Sequence, residues 1–166
     1  ANEFPFKLQL ETADPLWSQK NELLGTAMSK RTYRVMADFT EDQTYRFLSY
    51  MRFIEYEGDM MIMVQAKARE DKNESQDDSD DPQVTSWKAE NVGVVSLENE
   101  AKVLAHIKKM CTEALNKYPQ TLQEDIQILA EDDANPSLSF NQRNCVLFRQ
   151  GEKEILHFYL EFSDVL

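Results

Sequence analysis

Residues 96–119 read SLENEAKVLAHIKKMCTEALNKYP, and this stretch decides the fold class. Its apolar side chains recur every three or four residues, which is the spacing of one face of an α-helix. Ser96 is a common helix-capping type and Pro119 cannot continue a helix, so the pattern predicts one helix of about 22 residues, roughly 33 Å long. It is the longest element that the sequence predicts. The stripe consists of Leu97, Ala101, Leu104, Ile107, Cys111, Leu115 and Tyr118.

Helix-start signals recur on both sides of this stretch. Asp14 followed by Pro15 is typical of an N-cap with proline at the first helical position, and Gly25 ends the apolar pattern that follows. Capping boxes, in which a Ser or Thr precedes a Glu or Gln by three residues, predict further helices. These boxes are Thr40 with Gln43, Thr121 with Glu124, and Ser139 with Gln142.

In the two helices predicted after Pro119, periodicity assigns a set of apolar side chains to the interior. Gly151 interrupts the second of them and predicts a kink or a close helix approach. The side chains expected to point inward are Leu122, Ile126, Leu129, Phe140, Val146, Leu147, Ile155, Leu156, Tyr159 and Leu160.

The remaining segments add shorter elements. Phe4 to Leu10 alternates weakly and predicts a short extended segment, whereas Lys30 to Phe39 favours either an extended segment or an irregular connection. Asp59 to Lys67 predicts a short helix, whose methionines either fill the core or form a soft partner-binding surface. With four glycines and no repeat, the chain is predicted to be all-α, an irregular array of about five to six helices.

The formal net charge of -12 is concentrated in one segment. Seven acids and one base lie between Glu70 and Asp81 and contribute half of that charge. We expect a disordered acidic loop at about 69–86 within a single domain spanning 1–166, because this segment has too little apolar surface to offset its ordering entropy. Ser75 and Ser79 stand next to acids, which suits an acid-directed kinase.

Charge and hydropathy exclude two classes of partner. An excess of acids repels phosphate backbones, so we expect no nucleic-acid partner. No apolar run approaches the ~20 residues of a membrane helix, and residues 1–10 lack the order of a signal peptide, so we expect no membrane partner. The two cysteines, Cys111 and Cys145, make no disulfide framework, so we expect a reducing, intracellular location.

The sequence offers no catalytic or metal-binding motif. Cys111 and Cys145 lie in apolar-periodic segments and are expected to be buried thiols, and no spacing of Cys and His matches a zinc site. No carboxylate has an apolar setting, and Glu124 and Asp125 are expected to favour the dipole of the helix that they open. The residues alone predict a helical interaction module with no catalytic, cofactor or metal site.

Four segments, in order, resemble the C-terminal substrate-binding domain of the Rubisco large-subunit lysine methyltransferase family. Residues 8–24 contain the family's D-P-L followed by K and L, and 97–104 resembles the start of its long helix. Residues 118–125, YPQTLQED, are similar to its Y-P-T-T-L-E-E-D, with glutamines as the two departures. Residues 143–156 are similar to its closing R-x-G-E-K-x-I-L helix.

The resemblance implies that a catalytic SET domain precedes this chain in a longer enzyme, of which the chain is about a third. SET domains bind S-adenosylmethionine through a glycine-containing segment and an Asn-His motif, and use a catalytic tyrosine. With four glycines and no Asn-His pair, this chain is expected to bind no cofactor itself. The resemblance therefore implies a lobe that docks and orients a protein substrate for the catalytic domain.

Family substrates include the Rubisco large subunit and aldolase, and the sequence does not choose between these and another protein. The compartment is accordingly the chloroplast stroma for a Rubisco-type enzyme, and otherwise the cytoplasm or nucleus. We expect docking through Arg143, Arg149 and Lys153, with intramolecular ion pairs as the alternative role of these side chains. The alternative function is a free-standing helical protein-interaction adaptor.

Overall fold

A computed structural model describes residues 2–66 and 88–166, and the acidic loop predicted at 69–86, with Ser75 and Ser79, lies outside these residues. The described residues form a mostly helical array, which confirms the predicted fold class. The elements are β1 (Phe4–Leu8), α1 (Trp17–Leu24), β2 (Arg31–Val35), α2 (Asp42–Glu55), α3 (Met60–Gln65), α4 (Leu97–Asn116), α5 (Leu122–Ala134) and α6 (Phe140–Phe162).

The two strands form a two-stranded antiparallel sheet, with α1 in the connection between them, and this sheet closes one side of the helical array. Phe4 is paired with Val35 and Leu8 with Arg31. Side chains alternate across a strand, and the inward set of both strands is buried against the helices. The predicted extended segment at the N-terminus is confirmed, as is the extended alternative for 30–39. The buried set is Phe6, Leu8, Tyr33 and Val35.

The core lies between this two-stranded sheet and helices α2, α4 and α6. The Phe6 ring stacks on Phe47 at 4.8 Å and meets Tyr159 edge-on at 5.5 Å. Tyr159 is fully buried, and its hydroxyl donates to the Met36 carbonyl at 3.1 Å while lying 2.9 Å from the Thr44 hydroxyl. Burial raises the pKa of Tyr159 to about 12. This aromatic centre fixes β1, α2 and α6 relative to one another.

Helix α1 begins later than the sequence predicts. Leu16, not Asp14, occupies the N-cap position, and the first helical residue is Trp17. The Asp14 carboxylate instead closes a turn, accepting from the Leu16 N–H at 2.8 Å. The predicted stop is confirmed, because Gly25 has a φ of 60°, a conformation that favours glycine.

The N-cap of α2 also differs from the predicted box. Glu41 is the cap, and its carboxylate accepts from the Gln43 N–H at 2.9 Å. The Thr40 hydroxyl donates to the Asp38 carboxylate at 2.7 Å, so it belongs to the preceding turn. The predicted start was therefore wrong by one residue.

Helix α4 is confirmed, with the Ser96 hydroxyl accepting from the Asn99 N–H at 3.0 Å. It is not the longest element, because α6 has 23 residues against 20 in α4. Leu97 was predicted to lie in the apolar stripe of α4, but it is exposed since it precedes the packed part of the helix. Both capping boxes that open α5 and α6 are confirmed.

The predictions for buried thiols and apolar side chains hold only in part. Cys111 is buried, and this burial raises its pKa to about 12, but Cys145 is exposed. Ile126, Phe140 and Leu147 are also exposed, because nothing in the described part of the chain packs on that portion of α5 and α6. Among the described helices, none combines the length and apolar character needed to cross a bilayer.

Candidate functional site

Arg143, the first predicted docking residue, holds the turn between α5 and α6. Its guanidinium lies 2.7 Å from the Asp132 carboxylate and 2.8 Å from that of Asp133. Asp132 also accepts from the backbone N–H groups of Ser137 and Leu138, both at 2.8 Å. These two backbone bonds, with the Arg143 contact, hold the pKa of Asp132 below its ordinary value. The charge of Arg143 is therefore largely satisfied inside the chain.

Lys153, the third predicted docking residue, is buried. Its ammonium is paired with the Asp125 carboxylate, and both side chains are 1% exposed. It also lies 4.9 Å from the centre of the Tyr118 ring, whose hydroxyl donates to Glu152 at 3.0 Å. Because this ammonium is buried, it agrees with the alternative role given for Lys153, which is an intramolecular ion pair. Asp125, which was expected to favour the dipole of the helix that it opens, is buried because α6 covers this helix start.

Arg149 lies one helical turn before Lys153 on α6 and is exposed. The structure thus separates the three predicted residues by their surroundings. Arg143 stabilises a turn, Lys153 stabilises a helix pair, and Arg149 faces solvent. Docking by Arg149 stays a prediction.

The first turns of α6 carry an exposed apolar surface, which we call the α6 stripe and define as Phe140, Leu147 and Phe148. Their side chains are 80%, 44% and 61% exposed. A spacing of seven and eight residues places them on one side of a helix. Phe148 was missed in the sequence, although its spacing from Phe140 was the available signal. Residues 136–151 contain no carboxylate, so this surface is apolar and locally basic in an acidic chain.

The same side of α6 is covered beyond the stripe. At Gly151 a Cβ atom would lie 2.1 Å from the Asn2 side-chain amide, so the N-terminal segment lies against the helix there. A close approach is present at Gly151, but it is made by the N-terminal segment and not by another helix. One turn later Ile155 is buried, and Phe158 packs on Phe39 with 4.7 Å between ring centres. The stripe is therefore the uncovered end of an otherwise covered face.

A groove of about 560 Å³ lies at the other end of the two-stranded sheet, against α2 and α4. Beside it, the buried Lys20 ammonium contacts Asp14 at 2.5 Å and donates to the Ile54 carbonyl at 2.9 Å. Burial lowers the pKa of Lys20 despite the opposing effect of Asp14. His106 Nδ1 lies 2.6 Å from Glu55 on the wall. The charged side chains lining the groove are Lys7, Glu11, Asp14, Lys30, Glu55, Glu57 and His106.

Gly58 and Gly151 each face a side chain of the chain itself. A Cβ on Gly58 would lie 2.6 Å from the Tyr56 hydroxyl, and Gly151 faces Asn2. Across the described residues, no group of three or more His, Cys, Asp and Glu side chains could hold a metal ion.

The fold is similar to one part of larger, solved methyltransferase structures. A crystal structure of the SET domain of LSMT bound to lysine and AdoHcy superposes with a TM-score of 0.67 at 17% identity, over 98% of this chain and 32% of that one. A structure of Rubisco LSMT bound to AdoMet gives a TM-score of 0.63 at 15% identity, over 98% and 34%. This chain thus spans about a third of those proteins.

The family model described as "Rubisco LSMT substrate-binding" matches residues 11–156. No curated protein sequence gives a significant match. The matched range includes β2 and helices α1 to α5, together with most of α6, and the resemblance seen in the sequence is confirmed. The chain belongs to the Rubisco LSMT substrate-binding family.

Proposed function

We propose that this chain is the protein-substrate-binding lobe of a SET-domain protein lysine N-methyltransferase. One observation carries the proposal: nearly all of the chain superposes on a third of structures of LSMT bound to AdoMet, or to lysine and AdoHcy. In this proposal the rest of the protein, including a SET domain on the N-terminal side, holds S-adenosylmethionine and performs methyl transfer.

The role of the lobe is to hold a protein substrate away from the reacting lysine. Binding energy gained at a distance then orients the lysine in the catalytic channel, which converts a bimolecular encounter into a positioned reaction. The substrate is the Rubisco large subunit, aldolase or another protein. The compartment depends on the substrate. It is the chloroplast stroma for a Rubisco-type enzyme, and otherwise the cytoplasm or nucleus.

Two surfaces support docking of a charged partner. Arg149 is the predicted docking residue that faces solvent, and it lies in a stretch without carboxylates. The groove presents four carboxylates against two lysines and a histidine, which favours a basic segment of substrate and a salt-dependent encounter. Arg143 and Lys153 act as positioning residues, since they stabilise the helix that presents Arg149.

The test uses the full-length protein with its protein substrate. Arg149→Glu is expected to raise KM about fivefold with kcat unchanged, the effect of losing ~1 kcal/mol of binding. Arg34→Glu, at an exposed position on β2, is the matched control and leaves both constants unchanged. Unaltered kinetics in Arg149→Glu would exclude docking through Arg149.

Removal of the lobe separates the enzyme from the adaptor alternative. If the proposal holds, the remaining protein methylates a short lysine peptide but loses activity on the intact protein. The reading frame upstream of this chain gives a second check, since an Asn-His motif followed by a tyrosine is expected there. A frame without them would leave the adaptor function.

A further inference from the structure

The exposed α6 stripe lies where the N-terminal segment leaves the helix. Asn2 covers Gly151, and Phe6 contacts Tyr159 with 5.5 Å between ring centres. The four-residue step from Asn2 to Phe6 therefore lies alongside the eight-residue step from Gly151 to Tyr159 on α6. At about 3.3 Å per extended residue and 1.5 Å per helical residue, both advance roughly 12 to 13 Å, so the two segments run side by side in the same direction.

We propose that the polypeptide immediately upstream of this chain in the longer protein continues along α6 in extended form and covers the α6 stripe. The proposal rests on the proposed function, which places the chain inside a longer protein. Leu147 lies four helical residues before Gly151, about 6 Å away, and Phe140 lies eleven before it, about 16 Å away. The larger of these distances corresponds to about five residues of extended chain.

The geometry favours this occupant over a substrate or a second copy. From Gly151 onward, the same face of α6 is covered by residues of this chain. The covering residues are Asn2, Phe6 and Phe39. The stripe continues that interface, and the polypeptide already follows its axis. Since alternate side chains of an extended segment point to the same side, we expect apolar residues at every second upstream position.

The experiment compares this chain with a version that begins ten residues further upstream in the same gene. The longer version is expected to unfold at a temperature at least about 3 °C higher, because it buries the stripe. Phe148→Ser is expected to remove most of this gain and to change the shorter chain by less than about 1 °C, since Phe148 is exposed there. Val94→Ser, at another exposed apolar position, is the control and changes neither version.

Binding of an apolar dye gives a second measurement that does not depend on unfolding. The shorter chain is expected to bind 8-anilinonaphthalene-sulfonate through the stripe, with loss of signal both on extension and in Phe148→Ser. An equal effect of Phe148→Ser on both lengths, or no gain from extension, overturns the proposal. So does a dimer that Phe148→Ser dissociates in sedimentation, because the occupant is then a second copy. None of these readouts uses methyl transfer, so failure of the proposed function in its own assay is a separate result.

Discussion

The Lys153 ammonium of α6 is paired with the Asp125 carboxylate of α5 in an enclosed position, with both side chains 1% exposed. One Asp125 oxygen, Oδ1, has no hydrogen-bond donor among the described residues. Desolvation of such a pair is repaid only while both charges are present. The pair therefore makes the packing of α5 on α6 depend on two specific side chains.

Lys153→Met is expected to destabilise the chain by about 3 to 5 kcal/mol, because it leaves the Asp125 charge buried alone. Adding Asp125→Leu to this variant should recover most of that loss. Urea unfolding at pH 7 measures both effects, and Lys109→Met, at an exposed position on α4, is the control, with a change below about 0.5 kcal/mol. A double variant as unstable as the single one would show that packing volume, rather than charge, determines the loss.

Stability should fall with rising pH in a manner that depends on Cys111. The pKa of its thiol is about 12 in the folded chain against an ordinary 9.0, because of burial. The folded state therefore retains a proton that the unfolded state loses, and stability declines by about 1.4 kcal/mol per pH unit between those two values.

Cys111→Ala should remove this slope, whereas Cys145→Ala, at an exposed cysteine, should retain it. Urea unfolding under reducing conditions from pH 8 to 10.5 gives the slope for each variant. Both variants retain other groups with shifted pKa values, so these groups do not affect the comparison. Burial raises the pKa of Tyr33 and Tyr159 and lowers that of Lys20. Equal slopes in the two variants would contradict the assignment to Cys111.

Asp132 should govern acid stability of the turn between α5 and α6. Its pKa lies below the ordinary 3.8, chiefly because the backbone N–H groups of Leu138 and Ser137 donate to its carboxylate. A carboxyl with a depressed pKa contributes stability above pH 3.8 that is lost as pH falls through the folded value. Asp132→Asn is thus expected to lower the melting temperature at pH 6 and to flatten its decline between pH 4 and 2.

Asp133→Asn is the comparison for this experiment, because Asp133 also contacts Arg143 but is exposed. Its melting temperature should follow that of the unmodified chain throughout the titration. If Asp133→Asn flattened the curve as much as Asp132→Asn, the Arg143 contact rather than the backbone bonds would be responsible.

Gly151→Ala should show coupling with Asn2. Alanine favours a helix interior by up to ~1 kcal/mol over glycine, but its Cβ would displace the Asn2 side chain. We expect the gain to be small in the unmodified background and larger in Asn2→Gly, where the space is free. A double-mutant cycle from urea unfolding measures this difference, and strictly additive effects would show that Asn2 does not constrain this position.

Local sequence signals were sufficient for most of the helices. The spacing of apolar residues and the Ser96, Thr121 and Ser139 caps depend on neighbours within a turn or two, so they could be interpreted without a structure. The pairing of β1 with β2 could not, because it joins residues separated by 23 to 31 positions, and the alternation in each strand allows several partners.

The exposure of the predicted docking residues was harder to predict, because it also depends on residues that are far apart in the sequence. Lys153 lies in a charged stretch, RQGEKE, that resembles a helix surface, whereas its partner Asp125 is 28 positions away. Periodicity assigned Phe140 and Leu147 to the interior because their residue types are apolar, but it does not state which part of a long helix has a neighbour. Arg149 was the one predicted docking residue whose exposure agreed with the role.

The burial of Lys20 and Lys153 also gives the chain an internal reporter of local opening. Amine-acylating reagents require a neutral amine that solvent can reach, so both lysines should react far more slowly than exposed lysines such as Lys109. The acylation rate of Lys153, followed by mass spectrometry, would then measure how often α5 separates from α6. The acylation rate of Lys20 would report the corresponding opening between α1 and the end of α2. One labelling experiment would therefore compare the local stability of these two parts of the fold.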